Sequence, residues 1–370
     1  MIYLDNAATT KVTKPVLDVM LPYLTEDYGN PSSIHSMGKK AKQAVEHARE
    51  QVATAIGAKP EQIFFTSGAT ESNNWVSGNI MMRSEFEHPS MDTASSPCLL
   101  YETNLQHFDD YTEESQFQED YEFWYSRQQD KCHTDISHIW VNNNTGEIYD
   151  IDKWIKRIHR YHRYFHTDAT QAFGHIPINV DEQNIDFLTL SGHKFHAPKG
   201  VGILYVRKPT LMIDWCNLGG GQERGYRSGT ENVASIVAMG KAAELYNYNE
   251  DEHEQQQNKK DYIMNYIRNY IPNYQLVLPS ETPQVPNIIA VAFKNVYGGD
   301  LVELMSLKGV CVSSGSACSS NSKHSVSYPT LSTELQDNVI RISMSVETTA
   351  DEVAQAMRIL RQCVQQIRGE

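Results

Sequence analysis

The chain has 370 residues, 40% of them hydrophobic, enough to bury a large core and to build two domains. Its 46 acidic against 32 basic residues give a formal charge of −14, which speaks against a broad nucleic-acid-binding surface. No apolar run approaches membrane-span length, and the opening Met-Ile-Tyr-Leu-Asp-Asn lacks the regions of a secretory signal, so a cytoplasmic protein is expected.

In chain order, the segment 38–57 predicts a helix, with Ala41, Ala44, Val45, Ala48, Val52 and Ala55 at helical spacing. Ile63-Phe64-Phe65 predicts a short buried strand, followed by the small-residue turn Thr66-Ser67-Gly68-Ala69-Thr70 and a second helix. The stretch from Met82 to Cys132, rich in acids, Gln and aromatics, gives no clear pattern and reads as a surface excursion. Further strands are predicted at Ile139-Trp140-Val141, Tyr164-Phe165-His166, Phe187 to Leu190 and Val201 to Val206, with helical patterns between several of them. Such alternation implies an α/β layered sheet, mostly parallel.

The polar run from Tyr246 to Lys260 interrupts the pattern inside or beside a helix. The chain resumes with a strand at Ile288 to Phe293, a helix near Asp300 to Leu307 and an extended piece at Val310 to Ser313. A strand at Val339 to Ser343 and a terminal helix from about Thr349 to Arg368 complete it. This is expected to be a smaller α+β domain, made of residues 1–12 and 251–370, beside a large domain of residues 13–250.

Four places carry candidate chemistry. The Thr66–Thr70 turn, between a strand and a helix, can bring backbone N–H groups to a phosphate, although such a turn is more often only a helix cap. Ser191-Gly192-His193-Lys194 ends a buried strand. A lysine desolvated there can lose its proton and form a Schiff base, although most lysines are surface residues. His166-Thr167-Asp168-Ala169-Thr170-Gln171 also ends a strand. Asp168 can pair with a protonated ring nitrogen and Gln171 with a ring hydroxyl, although Asp168 alone reads better as a helix N-cap.

Ser313 to Ser322 is a run of small polar residues around one thiol, Cys318, with nothing to pack a core. It is expected to be a loop with an accessible cysteine. The six cysteines, Cys98, Cys132, Cys216, Cys311, Cys318 and Cys363, form no CxxC pair, so free thiols are expected rather than a disulfide framework or a metal site.

Taken together, these blocks resemble the cysteine desulfurases of the class V, fold-type I, pyridoxal phosphate-dependent aminotransferase family. The matching stretches are Tyr3 to Thr10, Tyr28 to Ser33, Phe65 to Asn74, Glu87-His88-Pro89, His166 to Gln171, Ser191 to Lys194, Pro198-Lys199-Gly200, Gly225 to Thr230, Ser313 to Ser319 and Ile340 to Ser343. The resemblance implies a large domain with a mostly parallel seven-stranded sheet between helices, plus the smaller α+β domain carrying the Cys318 loop. It implies that Lys194 holds pyridoxal phosphate covalently, that Asp168 pairs with the ring nitrogen, and that Gln171 and Asn143 contact the ring hydroxyl. His88 would stack on the ring and move protons, and Ala69, Thr70, Ser191 and His193 would bind the phosphate. Thr230 would reach the phosphate of a neighbouring subunit, implying a homodimer.

Arg341, with Asn143, would bind the carboxylate of L-cysteine, and Cys318 would take the sulfur as a persulfide before passing it to an acceptor protein, either a scaffold or a thiolation enzyme. No metal is implied. The chain departs from the family pattern at Lys11, over 90–138, at Asn144, at Ser345 and over 324–331. Two other readings remain open from the sequence: a relative acting on selenocysteine or cysteine sulfinate, and a partner-binding subunit with weak turnover. Cys318 in its loop favours the desulfurase over the first, and intact Lys194, Asp168, Arg341 and Cys318 favour it over the second.

Overall fold

The computed structural model describes residues 1–77, 80–84, 87–91, 134–209, 216–314 and 328–370. The Cys318 loop and most of the excursion after Met82 lie outside these residues.

In chain order the elements are β1 (Ile2–Tyr3), α1 (Lys14–Met20), α2 (Pro22–Thr25), α3 (Ser36–Ala55), β2 (Ile63–Thr66), α4 (Ala69–Ser77), β3 (Ile80–Arg83), β4 (Thr134–Ser137), α5 (Ile151–His159), β5 (Phe165–Asp168), β6 (Phe187–Ser191), β7 (Gly202–Val206), α6 (Val233–Leu245), α7 (Glu250–Tyr270), β8 (Tyr274–Leu276), β9 (Ile288–Phe293), α8 (Gly298–Leu307), β10 (Val310–Cys311), β11 (Val339–Ser343) and α9 (Ala350–Arg368).

Six strands form the larger sheet among the described residues, in the order β2-β7-β6-β5-β4-β3. The pairs from β6 through β5 and β4 to β3 are parallel, and β7 is antiparallel to both of its neighbours. The sheet is therefore mostly parallel, as expected. The expected count of seven strands exceeds the six described. β2, β5, β6 and β7 are buried along their whole length, which explains the nearly continuous apolar runs of β2 and β7, whereas β5 buries the polar His166, Thr167 and Asp168. Helix α3 lays Val45, Ala48 and Val52 against the core, and α6 packs on it at close range. Gly240 permits that approach, since a Cβ there would meet the Ala48 Cα at 2.6 Å.

The sequence expectation for Ile139–Val141 needs correction: the strand is β4, Thr134–Ser137. The apolar triplet continues beside β5 without a regular ladder, held by His138 N–H to the His166 carbonyl (3.1 Å) just before it and by its own Trp140 N–H to the Asp168 carbonyl (3.1 Å). The polar run after Tyr246 becomes helical from Glu250, where Asn249 Oδ1 accepts from Glu252 N–H at 3.1 Å and caps α7.

A second core gathers Ile289, Val291, Phe293, Ile340, Ile342 and Leu360, with α7, α8 and α9 around a three-stranded antiparallel sheet of order β11-β9-β8. Thr349 and Glu352 close a reciprocal capping box on α9 (3.2 and 2.9 Å), as the Thr349 start of the predicted terminal helix requires. The N-terminal strand β1 joins this second half by parallel pairing with β10, while Ala7, a few residues later, is buried in the first core. None of the described helices is long and apolar enough to cross a membrane.

Candidate active site

A cavity of 340 Å³ opens at the carboxyl ends of β5 and β6, facing the N-terminus of α4, where open α/β sheets bind ligands. Lys194, Asp168, Gln171, His88, Asn143, Ser191, His193, Ala69, Thr70 and Arg341 all line it, so ten of the predicted site residues converge there. Thr230 does not. It lines a separate 200 Å³ cavity with Thr66 and Arg227, and Ser67 contributes to both. Cys318 lies outside the described residues.

Strand β6 ends at Ser191, and one tight turn, Gly192–Lys194, brings Lys194 round to the cavity. Its Nζ donates to the carbonyls of Ala7 and Ala8, the latter at 2.9 Å. Gly202 lets the start of β7 pass behind the Gly68 turn, since a Cβ there would meet the Gly68 Cα at 2.7 Å.

Asp168 closes β5 and is buried. Its Oδ1 accepts from Thr170 N–H at 2.9 Å, so the capping tendency seen in the sequence is realised as a turn rather than as a helix start. Its Oδ2 accepts from Asn73 Nδ2 at 2.8 Å. Gln171 donates to the Ala7 carbonyl at 2.8 Å, which turns its amide toward the N-terminal segment.

His193 is hydrogen-bonded to Thr9 Oγ1 (3.1 Å), and burial, together with Lys194 and Lys199, pushes it down to about 4. It is therefore neutral at pH 7, and against an anion it acts as a hydrogen-bond partner rather than a charge. Behind the cavity, burial brings His166 down to about 4 and raises Glu87 to about 8. Ser137 connects the two, donating to Glu87 Oε1 (2.8 Å) and bonding His166 Nδ1 (2.8 Å).

The Thr66–Thr70 turn is braced by Glu71. Burial alone would raise this carboxyl, yet hydrogen bonds from Arg227 (2.7 and 3.1 Å) and from Ser67 N–H (2.7 Å) hold it down at about 2. Ser67 N–H and Gly68 N–H are thereby directed to Glu71 and Thr66, which leaves the anion-binding end of α4 to Ala69 and Thr70.

Arg341 is 1% exposed. It donates through Nη2 to Asp5 Oδ1 (2.8 Å) and through Nη1 to the Asn143 carbonyl (2.8 Å). Its Nε and Thr170 Oγ1 are buried without a hydrogen-bond partner among the described residues, although both side chains line the cavity.

The sequence did not single out Asn73, Ser90, Asp5 or the Glu71–Arg227 pair. Asn73 sits one helical turn after Ala69, where an amide in a helix carries no local signal of a buried role.

The pattern of the family described as "Aminotransferase class-V" matches residues 2–356. A protein named cysteine desulfurase IscS from Dictyoglomus turgidum is 38% identical over 387 residues, covering 99% of this chain and 95% of that one. One of the same name from Methanosarcina thermophila is 37% identical, covering 100% and 93%. The structure of a NifS-like protein from Rickettsia africae superimposes with a TM-score of 0.79 at 27% identity over the full length of both chains.

Proposed function

Because the chain belongs to the aminotransferase class-V family, and within it to the cysteine desulfurases, we propose that it is a pyridoxal phosphate-dependent desulfurase that moves sulfur from L-cysteine to Cys318 and releases L-alanine. The observation that carries this reading is the 340 Å³ cavity in which an amine, a carboxylate, two imidazoles, a guanidinium and a helix N-terminus converge.

These residues fit the cofactor. Lys194 is the amine that would hold it. Asp168, kept as an acceptor by two donors, suits a protonated ring nitrogen, and Gln171 and Asn143 suit the ring hydroxyl. The phosphate would lie against Ala69, Thr70, Ser191 and His193, at the end of α4 whose first two upstream N–H groups are already taken. When bound, the cofactor draws electrons from the substrate Cα, which makes the Cα proton removable and the carbon–sulfur bond breakable.

The rest is done by the chain. Arg341 receives the substrate carboxylate, its unpartnered Nε supplying the new hydrogen bond while Asp5 and the Asn143 carbonyl hold the fork still. Lys194 Nζ takes the Cα proton, and His88 would stack over the ring. The Cys318 thiolate attacks the substrate sulfur, so that one C–S bond breaks and one S–S bond forms. The carbon skeleton takes up a proton and leaves as alanine. Ser313, five residues before Cys318, is paired with Arg341 (3.1 Å from its N–H to the Arg341 carbonyl), and a five-residue tether spans at most about 18 Å. In this reading that span is the farthest Cys318 can lie from Ser313, a reach that allows its thiolate to meet a substrate held at Arg341.

In this reading Thr230 serves the phosphate of a second copy in a homodimer, and an acceptor protein collects the sulfur in the cytoplasm. The purified protein is expected to be yellow, and Lys194→Ala to lose the absorbance band. With cysteine and a reductant it is expected to release sulfide and alanine in equal amounts. Equal sulfide release by wild type and Cys318→Ser would overturn the proposal.

A further inference from the structure

Beyond the residues already assigned to the cavity, a chain of hydrogen bonds, buried at Asn73 and part-buried at Ser90, links Asp168 to His88. Asn73, fully buried on α4, directs Nδ2 at Asp168 Oδ2 (2.8 Å) and at Ser90 Oγ (2.8 Å). Ser90 in turn meets His88 Nδ1 twice, through Oγ at 2.8 Å and through its backbone N–H at 3.1 Å.

Proton counting fixes the direction of every bond. Asp168 accepts at both oxygens, from Thr170 N–H and from Asn73, so the Asn73 amide must present its NH₂ group and not its oxygen. The two Asn73 protons are then shared between Asp168 and Ser90. Ser90 Oγ accepts one of them and is free to donate its own proton to His88 Nδ1. The Ser90 backbone N–H can only donate, and its acceptor is the same Nδ1. Two donors on Nδ1 require a lone pair there, so the neutral ring carries its proton on Nε2. His88 lines the cavity, and with Nδ1 engaged, Nε2–H is the ring group left to serve it.

We infer that Ser90 is a positioning residue for His88, holding the imidazole ring plane and the Nε2–H tautomer, with Asn73 tying that arrangement to Asp168. An amide with both protons donated cannot pass a proton along, so the chain orients His88 and does not connect it to Asp168 as a proton wire. The inference rests on the desulfurase reading only for its consequence in turnover. The tautomer belongs to the protein whatever it catalyses.

The test is ¹⁵N NMR of the full-length holoenzyme labelled at histidine, with the His88 signals assigned by their loss in His88→Gln. Wild type is expected to show a deshielded, unprotonated Nδ1 and a protonated Nε2. Ser90→Ala should raise the Nδ1–H population roughly fivefold, the factor that one hydrogen bond is worth, and Ser90→Thr should restore the wild-type pattern. The cofactor absorbance band should persist in both, while kcat falls in Ser90→Ala and KM does not change. An Nδ1–H ring in wild type, or the same Nδ1–H population in wild type and Ser90→Ala, would overturn the inference. Either result leaves sulfide release, and with it the desulfurase reading, to be judged on its own.

Discussion

The ion pair between Arg49 and Glu223 gives the sharpest energetic prediction. Both side chains are 4% exposed, and the guanidinium meets the carboxylate in two bonds of 2.8 Å. Arg49 also donates to the Ile63 carbonyl (2.8 Å) and lies 4.8 Å over the Phe65 ring, while Glu223 Oε2 accepts Phe65 N–H at 2.9 Å. Glu223 and Arg224 sit at φ 45° and 59°, a conformation that only outside contacts maintain in residues with a Cβ.

Glu223→Ala leaves Arg49 with the half-exposed Glu46 as its remaining acidic neighbour and strips Phe65 N–H of its acceptor. Breaking a buried pair in this way costs about 3 to 5 kcal/mol. With an unfolding entropy of about 2.1 cal/mol/K per residue, 4 kcal/mol in a chain of this length lowers Tm by about 5 °C. The double variant Arg49→Met/Glu223→Leu removes both charges and should recover at least about 2 kcal/mol relative to the sum of the single changes. Thermal melts at fixed protein and cofactor concentration measure wild type, Glu223→Ala, Arg49→Met, Glu223→Leu and the double variant. A loss under about 1 kcal/mol for Glu223→Ala, or strictly additive single costs, refutes the reasoning.

Arg341→Lys should lower kcat/KM for cysteine by roughly 10- to 150-fold, the value of one charge-assisted hydrogen bond, because a point charge cannot serve Asp5, the Asn143 carbonyl and a carboxylate together. The cofactor absorbance should be unchanged, and an unaltered KM would count against the assignment. His166, His175 and His193 are each depressed to about 4, chiefly by burial, so the unfolded chain takes up their protons first as pH falls below 6.5. Their contribution to stability is complete above pH 6.5 and is lost toward pH 4, and Tm measured across that window should fall. Glu87 has the opposite sign. Burial raises it from 4.5 to about 8, so the folded state holds its proton longer, and stability declines as pH rises through that interval. Glu87→Gln should therefore gain on wild type between pH 5 and pH 8, by at most about 5 kcal/mol, and urea midpoints that differ by the same amount at both pH values would refute it.

Much of this fold is legible in the sequence where burial is complete. Ile288 to Phe293 and Val201 to Val206 read as strands because both faces are covered and nearly every residue is apolar. β4 escaped because Thr134-Asp135-Ile136-Ser137 is mostly polar, whereas the apolar triplet after it is buried by neighbours without joining a regular ladder. The residues proposed to anchor a cofactor are ambiguous one by one and become legible through their order along the chain and their joint chemistry. The supporting contacts were not legible, since their partners are remote in sequence. Asn73 and Asp168 are 95 residues apart, and Arg227 and Glu71 are 156 apart. A serine after proline or an asparagine in a helix has many ordinary uses, and only the tertiary fold selects one.

The N-terminal segment explains how two separate cores serve one site. β1 pairs with β10, Asp5 bridges to Ser343, and Ala7 N–H donates to Ser343 Oγ at 2.9 Å, so residues 2–7 are fastened to the second core. The same few residues then reach across the cavity: Asp5 to Arg341, the Ala7 carbonyl to Gln171 and Lys194, and the Ala8 carbonyl to Lys194. The group that would receive the substrate carboxylate and the amine that would take its proton therefore share one short strap of backbone. A shift of one core against the other must move Arg341 and Lys194 relative to the same atoms. Positional error between them is kept to the flexibility of four residues, Asp5 to Ala8, rather than to that of the whole interface. In a reaction that needs the substrate held by its carboxylate while its Cα faces the lysine, an error of about 1 Å is enough to cost two orders of magnitude in rate.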